Sequence, residues 1–417
     1  MQMRFRLTIL LTLILLVVSV GPQVAAQDEV VLSFVGPEQP SAMEPVIAAF
    51  EAANPGIRVE YESVPFVDLN DILQTRMRDG GSTPDIFTAD QPRISALVER
   101  GFLLDITDEV GDISDMVWPS SLDASTVDGR LYALPISTST QILYYNLDLL
   151  EAAGLEPPSR EPENRITWEQ LVQDAAAAQE AGAEWGFMFD QVNRIYQIQP
   201  LPESLGGGPG VSADNPLEPN ITNAAWVEAL SFYGDLFESG LAPRGIPVEQ
   251  TPDLFANGQV AYFVGGPWWL PRFGGTEGLN FDAGLHPYFA EGEPVTPTGA
   301  WSWGVNPNSE HIDEAIAFIT FAALDPTGAL RTAEGFPLPP ANIEVFNTYY
   351  AENQVLDGIE DLILYELENT ARVRAKTEGF IEFEEIIGQA LEDIRNGADA
   401  RGALETASED LEAVWSR

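Results

Sequence analysis

Apolar positions along this chain fall into two rhythms that alternate. Val30 to Val35 is a short apolar run closed by Gly36-Pro37, the length and punctuation of a buried strand. Met43, Val46, Ile47 and Phe50 then recur at helical spacing until Asn54-Pro55-Gly56 stops them, and Ser41 with Glu44 three residues on predicts a capping box at the start. Ile57 to Tyr61 alternates as a strand, and Leu69, Ile72 and Leu73 mark a second helix ending by Gly80-Gly81. Asp85-Ile86-Phe87-Thr88-Ala89-Asp90 is a buried strand with a carboxylate at its tip, followed by a third helix through Ile94, Leu97 and Val98. The order β-α-β-α-β-α predicts a parallel or mixed sheet covered by helices on both faces. Ligands of such sheets sit beyond the carboxyl ends of the strands, so Gly36 to Gln39 and Ala89 to Arg93 are predicted to face one crevice.

The same alternation resumes further along. Ile136 to Thr140 is polar and β-branched, Gln141 to Asn146 is a strand, and an extended segment here can carry the chain from one lobe to another. Thr167 with Gln170 forms a second capping box, opening the helix of Trp168, Leu171, Val172 and Ala175. Gly186 to Asp190 is a strand ending in an acid, and Leu201 to Pro219 is predicted to be a long surface loop. Ile312, Ile316 and Ile319 share one helix face, as do Phe383, Ile387, Leu391 and Ile394.

Composition bounds what this pattern can be. Arg4 and Arg6, the apolar stretch from Leu7 to Val20 and the small residues Val24-Ala25-Ala26 predict a secretory signal peptide over residues 1–26. About 390 residues then remain, too many for one ordinary core, so two lobes are expected. The chain has no cysteine, which excludes disulfides, thiolate metal ligands and a lipoprotein anchor. Its formal charge is −45, and Lys376 is the only lysine. Such a field repels nucleic acid and anionic membranes and suits either solubility, as in a saline habitat, or attraction of a cationic solute.

The densest candidate chemistry lies between Phe255 and Trp303. Val260-Ala261-Tyr262-Phe263-Val264 runs into Gly265-Gly266-Pro267-Trp268-Trp269, and Gly299-Ala300-Trp301-Ser302-Trp303 follows. A strand that ends in glycines and paired indoles offers flat aromatic faces beside bare backbone, which suits stacking on a neutral ring-shaped ligand.

With these residues in view, the chain resembles the extracellular solute-binding proteins of bacterial sugar ABC transporters, the group of maltose- and trehalose/maltose-binding proteins. The resemblance is carried in order by Phe50-Glu51-Ala52-Ala53-Asn54-Pro55-Gly56-Ile57, Pro84-Asp85-Ile86, Gly101-Phe102-Leu103-Leu104-Asp105, Gly129 to Asn146, Trp168-Glu169-Gln170-Leu171 and the stretch from Phe255 to Trp303. It implies an α/β, two-lobed periplasmic-binding-protein fold, with mixed sheets flanked by helices, a hinge, and a cleft between the lobes. Residues 28–137 and 268–325 would form lobe one, and 138–267 with 326–417 lobe two. It further implies a monomer, periplasmic or extracellular, that takes no cofactor or metal, captures a mono- or oligosaccharide and delivers it to membrane permease subunits.

The resemblance also implies site residues. Glu38 stands where relatives place a ligand-facing acid, and Asp90 where they have a sugar-hydroxyl acceptor; the plainer reading of Asp90 is a helix N-cap. Ser137 and Ser139 occupy positions where many relatives carry an aromatic and an acid, which leaves the ligand class open. Trp268, beside Gly266, matches a stacking tryptophan, with Trp269 expected to turn into packing. Trp301, after Gly299, matches a second stacking position, while Trp303 is either ligand-facing or core. Arg374 falls where relatives bond sugar hydroxyls. Arg93 and Phe380 are further candidates, the latter as an aromatic wall.

Two rival readings follow from the same residues. A glycosidase needs two carboxylates about 5 to 10 Å apart, and 65 acids make that possible by number. No Gly-x-Ser-x-Gly elbow or His-Glu-x-x-His helix is present, and His286 and His311 stand alone. Within the binding class, aromatic walls with carboxylates would also serve a polyamine or other cation. A sugar site predicts an arginine in the cleft, and a cation site predicts none.

Overall fold

The computed structural model describes residues 29–299, 301–336, 338–351 and 358–416, so the expected signal peptide lies outside the described residues. The apolar runs form the strands expected of them. β1 (Val30–Gly36), β2 (Ile57–Ser63), β3 (Ile86–Asp90) and the short β4 (Leu134–Pro135) belong to a first sheet. β5 (Ile142–Asn146), β6 (Trp185–Phe189), β7 (Val260–Gly265) and β8 (Phe281–Gly284) form a second, and β9 (Trp301–Val305) returns to the first. The strand orders are β2-β1-β3-β9-β4 and β8-β5-β7-β6. β1 is parallel to both β2 and β3, whereas β9 runs antiparallel to β3 with Trp301 opposite Asp90. Both sheets are therefore mixed, and their strand ends approach one another across a cleft.

Pairing decides which sheet each segment serves. Phe281–Gly284 pairs with β5, so part of the stretch expected in the first lobe, 268–325, builds the second sheet instead. The helix Pro326–Gly335, expected with the second lobe, packs on the helix Pro40–Ala53 so closely that a Cβ on Gly335 would lie 2.0 Å from the Ala42 carbonyl oxygen. Three extended segments lie side by side where the chain crosses. Ser139 bridges Gly299, Ser137 bridges Pro340, and the Thr138 N–H donates to the Pro339 carbonyl at 2.8 Å.

Each sheet has its own core. Leu32, Phe34, Phe50, Trp303 and Phe318 are buried together in the first lobe. The helix Phe380–Arg395 lays Phe380, Phe383, Ile387 and Leu391 against Trp226 and Phe187 in the second. The expected surface loop is partly core: Pro200–Ser204 is helical, and a Cβ on Gly210 would lie 2.7 Å from Phe383 and 2.8 Å from Trp226. Of the two expected capping boxes, one forms its N-cap half, while the Gln170 side chain bonds Asp174 instead of reaching back, and the other does not form. Thr167 Oγ1 accepts from the Gln170 N–H at 3.2 Å. The first helix instead starts at Pro40, whose fixed φ suits a first turn, and leaves Ser41 already inside.

Candidate ligand-binding cleft

A cavity of about 800 Å³ opens between the carboxyl ends of β1 and β3 on one side and those of β6 and β7 on the other. Glu38, Asp90, Ser139, Trp268, Trp301 and Arg374 line it as expected, joined by Phe66, Gln191, Arg194, Tyr196 and Trp269.

On the first lobe, Gly36 gives Glu38 its place. A Cβ at Gly36 would lie 2.2 Å from Glu38 Oε2 and 2.5 Å from Thr88 Oγ1, so only glycine lets the carboxyl turn back over the strand end. Tyr61 donates to Glu38 Oε2 at 2.8 Å and Thr88 Oγ1 donates at 3.0 Å. Burial pushes the Glu38 carboxyl up even though the Tyr61 and Thr88 hydrogen bonds favour its ionised form. Trp301 lies at the rim, edge-on to Phe66 with ring centroids 5.2 Å apart.

Asp90 is not capping the helix behind it. Its Oδ1 accepts from Arg374 Nη2 at 3.2 Å, and Arg194 Nη2 stands 3.7 Å from Oδ2. Arg194 also bonds Glu384 at 2.8 Å, and Glu384 takes Arg93 at 2.7 Å. Burial alone would raise the Glu384 carboxyl, but Arg194, Arg93 and Arg374 outweigh it and hold the group well below the usual carboxylate range. The Arg93 and Arg194 guanidiniums sit 4.8 and 4.7 Å from the Phe66 centroid, so the ring is flanked by two cations bound to one acid.

The second lobe supplies most of the aromatic surface. Trp268 Nε1 donates to Asp190 Oδ2 at 3.2 Å, and the Trp268 and Tyr196 centroids are 6.1 Å apart. Ser139 Oγ lies 2.8 Å from the Tyr196 hydroxyl and donates to the Gly299 carbonyl at 3.1 Å. Arg374 lies over Tyr196, 4.7 Å from its centroid. Gln191 presents a buried Oε1 with no hydrogen-bond partner among the described residues, an acceptor free for a ligand hydroxyl.

Several expected contacts are corrected. Ser137 is buried in the crossing layer and does not line the cavity. Gly266 does not offer bare backbone, because the six-membered ring of Trp268 covers it. At Gly299 a Cβ would lie 2.5 Å from Arg374 Nη2, so that glycine makes room for the arginine rather than for a ligand. Trp303 is core, stacked on Phe318 at 5.7 Å and 6°. β9 runs antiparallel to β3, so two residues past Trp301 the strand has carried its side chains about 7 Å away from the cleft. Phe380 is likewise core, and Arg93 is engaged by Glu384. Trp269 does pack, stacked on Phe273 at 25°, yet it also reaches the cavity.

The residues missed by sequence reasoning were within reach of one rule. Gln191, Arg194 and Tyr196 follow the strand-tip acid Asp190 just as the segment after Asp90 follows its own strand, and the carboxyl end of a strand points to both. Phe66 had no such signal; its place depends on two arginines that are far apart in sequence.

Two sheets joined by crossing segments that bridge one another antiparallel, with a lined cavity between their strand ends, define a two-lobed protein built to enclose a small molecule. The chain belongs to the bacterial extracellular solute-binding proteins, whose pattern matches residues 36–329. It is similar to a galactooligosaccharide-binding protein of Bacillus subtilis, 25% identical over 389 residues, 89% of this chain and 86% of that protein. A maltodextrin-binding protein of the same organism is 29% identical over 258 residues, 59% of this chain and 58% of that one. Among solved structures, an ABC substrate-binding protein of Listeria monocytogenes in complex with cycloalternan has a TM-score of 0.82 at 22% identity, covering 93% of this chain and all (100%) of that one. A Streptomyces glaucescens receptor solved with acarbose scores 0.80 at 20% identity, over 93% of this chain and 98% of its own. These neighbours share the two-lobed fold. Among the described residues, no helix is long and apolar enough to cross a membrane, and no group of three or more acidic or histidine side chains is placed to hold a metal ion.

Proposed function

We propose that this protein captures a neutral carbohydrate, preferably an oligosaccharide, by closing its lobes, and delivers it to the permease of an ABC importer. The carrying observation is how charge is arranged in the cleft. Asp90 and Glu384 are bonded to Arg374, Arg194 and Arg93, and burial biases Glu38 toward its neutral form. A chain of net charge −45 thus lines its cavity with charges that already satisfy one another. What remains for a ligand is indole surface and hydrogen-bonding groups, the complement of a sugar. Arginines at the cleft argue against a polyamine, which would meet Arg194 and Arg374. A volume of about 800 Å³ leaves room for more than one pyranose ring, and the names of the relatives point to oligosaccharides.

In this reading residues 1–26 are removed on export, the mature chain begins at or near Gln27, and it acts as a monomer outside the cytoplasm without catalysis. The lobes divide near the crossings at Ser137 and Ser139, with the helix Pro326–Gly335 docked on the first. The test is a thermal-shift screen against glucose, trehalose, maltotriose, a galactotriose, sorbitol and spermidine. A ligand at one hundred times its dissociation constant adds about 2.7 kcal/mol of stability. Stabilisation by spermidine with none by any saccharide overturns the reading, and hydrolysis of a bound saccharide overturns its non-catalytic part.

A further inference from the structure

We propose that Asp190 is a positioning residue of the ligand site, fixing the plane of the Trp268 indole so that one face is presented to the cavity. This rests on the cleft being the ligand site. Trp268 is held at two ends. At one, its six-membered ring lies on Gly266, where a Cβ would come within 1.9 to 2.2 Å of Cζ3, Cη2 and Cε3. At the other, its N–H donates to Asp190 Oδ2. A steric floor and a directional hydrogen bond together remove both tilting and flipping of the ring.

Asp190 is itself immobile. Its backbone N–H donates to the Val264 carbonyl at 2.9 Å, and its carbonyl accepts from Thr251 Oγ1 at 2.6 Å. The side chain starts against Gly265, where a Cβ would be 3.3 Å from the Asp190 Cβ. The groups that face the carboxyl are the neighbouring indoles of Trp269 and Trp268 and the Thr251 hydroxyl, with Arg194 and Tyr144 acting on it electrostatically; of the two indoles only Trp268 reaches hydrogen-bond distance, at 3.2 Å. No arginine or lysine forms an ion pair with it among the described residues, although it is only 2% exposed.

That combination needs a reason. A buried acid without a bonded cation is costly, and the N–H of a half-exposed indole could be satisfied by water at no such cost. An acceptor supplied by a fixed carboxyl does what water cannot: it sets the ring's direction before the ligand arrives, which spares ordering on binding. Stacking surfaces gain most from such preorganisation, because a ring free to rotate loses the face-to-face geometry.

The test uses the exported protein with ¹⁵N-labelled tryptophan, nine indoles in all, with Trp268 assigned through Trp268→Phe. Maltotriose is the binding probe. In the wild type the Trp268 indole proton is expected downfield and slow to exchange with water. Asp190→Leu is expected to move it to the position of a solvated indole, to speed its exchange, and to weaken maltotriose binding about tenfold. Asp190→Asn keeps an acceptor and should restore most of both. In a Trp268→Phe background, Asp190→Leu should have no further effect on affinity. An unmoved resonance in Asp190→Leu, or equal losses of affinity with and without Trp268, overturns the proposal. If Asp190→Leu does not fold, Asp190→Asn decides: loss of the wild-type downfield shift in that variant overturns the acceptor role. Failure of the wild type to bind maltotriose counts against the carbohydrate reading, while the indole resonance still decides the positioning.

Discussion

Asp90 and Asp190 occupy matching places on opposite lobes, Asp90 as the last residue of β3 and Asp190 as the first after β6, yet they do opposite work: Asp90 lines the cavity, and Asp190 stands behind Trp268, which lines it. Asp90 bonds Arg374 and has Arg194 within 3.7 Å. Asp190 accepts from an indole, and burial pushes it up to about 7 despite the hydrogen bonds it receives. One is a charge that pulls two arginines into the cleft. The other is an acceptor that orients an aromatic ring. A strand-tip acid therefore locates a site but does not assign a charge to it; that is set by partners distant in sequence, Arg374 for one and Trp268 for the other.

The largest effect that would break this contrast is at Arg374. The Arg374 and Asp90 side chains are 4% and 6% exposed, so Arg374→Ala leaves a buried carboxylate with only the longer Arg194 contact. Loss of one partner from a buried pair costs about 3–5 kcal/mol, measurable as a fall in urea midpoint at unchanged m-value. A change below about 1 kcal/mol would mean that water reaches Asp90 in solution and that the two acids are less different than their contacts suggest.

pH sharpens the contrast next. The Asp190 carboxyl is raised from its ordinary 3.8 to about 7, so the folded state keeps a proton that the unfolded state has released. The resulting stability is fully present below about pH 4 and is lost as pH rises to about 7, on the order of a few kcal/mol at about 1.4 kcal/mol per pKa unit. Glu203, also raised to about 7 by burial, adds to the same window. Glu384 runs the other way: lowered by its arginines, it contributes stability above its unfolded pKa that is lost on strong acidification. Subtracting the unfolding curves of Asp190→Asn from those of the wild type between pH 4 and 8 isolates Asp190. A flat difference would remove the raised carboxyl.

Trp268→Ala comes third. It should weaken saccharide binding by about 1–3 kcal/mol, the loss of a large apolar contact, and lower ligand-free stability by about 1–3 kcal/mol because the buried Asp190 carboxyl loses a donor. A core tryptophan such as Trp303 should instead cost about 3–5 kcal/mol of stability when truncated. Measured side by side, the two indoles either separate or fail to.

How much of this was legible in the sequence follows from the same residues. The strands β1, β2, β3, β5, β6 and β7 and the tips carrying Glu38, Asp90 and Trp268 could be read from periodicity and from glycine and proline stops, because those signals are local. The family resemblance added Trp301 and Arg374. What could not be read was pairing: that Phe281–Gly284 joins the second sheet, that Phe66 sits between two guanidiniums, and that Gly266 and Gly299 serve side chains of this chain. Each of those depends on a contact between residues far apart along the chain, for which periodicity carries no signal. Trp303 shows the boundary case, since side-chain alternation puts it on the same face as Trp301 while strand direction takes it into the core.

The smallest predicted effect separates two hydroxyls two residues apart, as the acids are separated across the cleft. Ser139 Oγ lies between the Tyr196 hydroxyl at 2.8 Å and the Gly299 carbonyl at 3.1 Å, so it ties a cavity wall to a crossing segment. Ser137 Oγ is buried in the same layer and has no hydrogen-bond partner among the described residues. Removing a bonded hydroxyl costs about 0.5–1.5 kcal/mol, and Ser139→Ala should show that loss in urea unfolding together with weaker saccharide binding as Tyr196 loses its tie. Ser137→Ala removes a buried polar atom that makes no bond, so its stability should stay within about 0.5 kcal/mol of the wild type or rise, and its affinity should not move. Equal losses in the two variants would mean that Ser137 is bonded in solution, through water or through a ligand, and would return it to the site that the resemblance first assigned it.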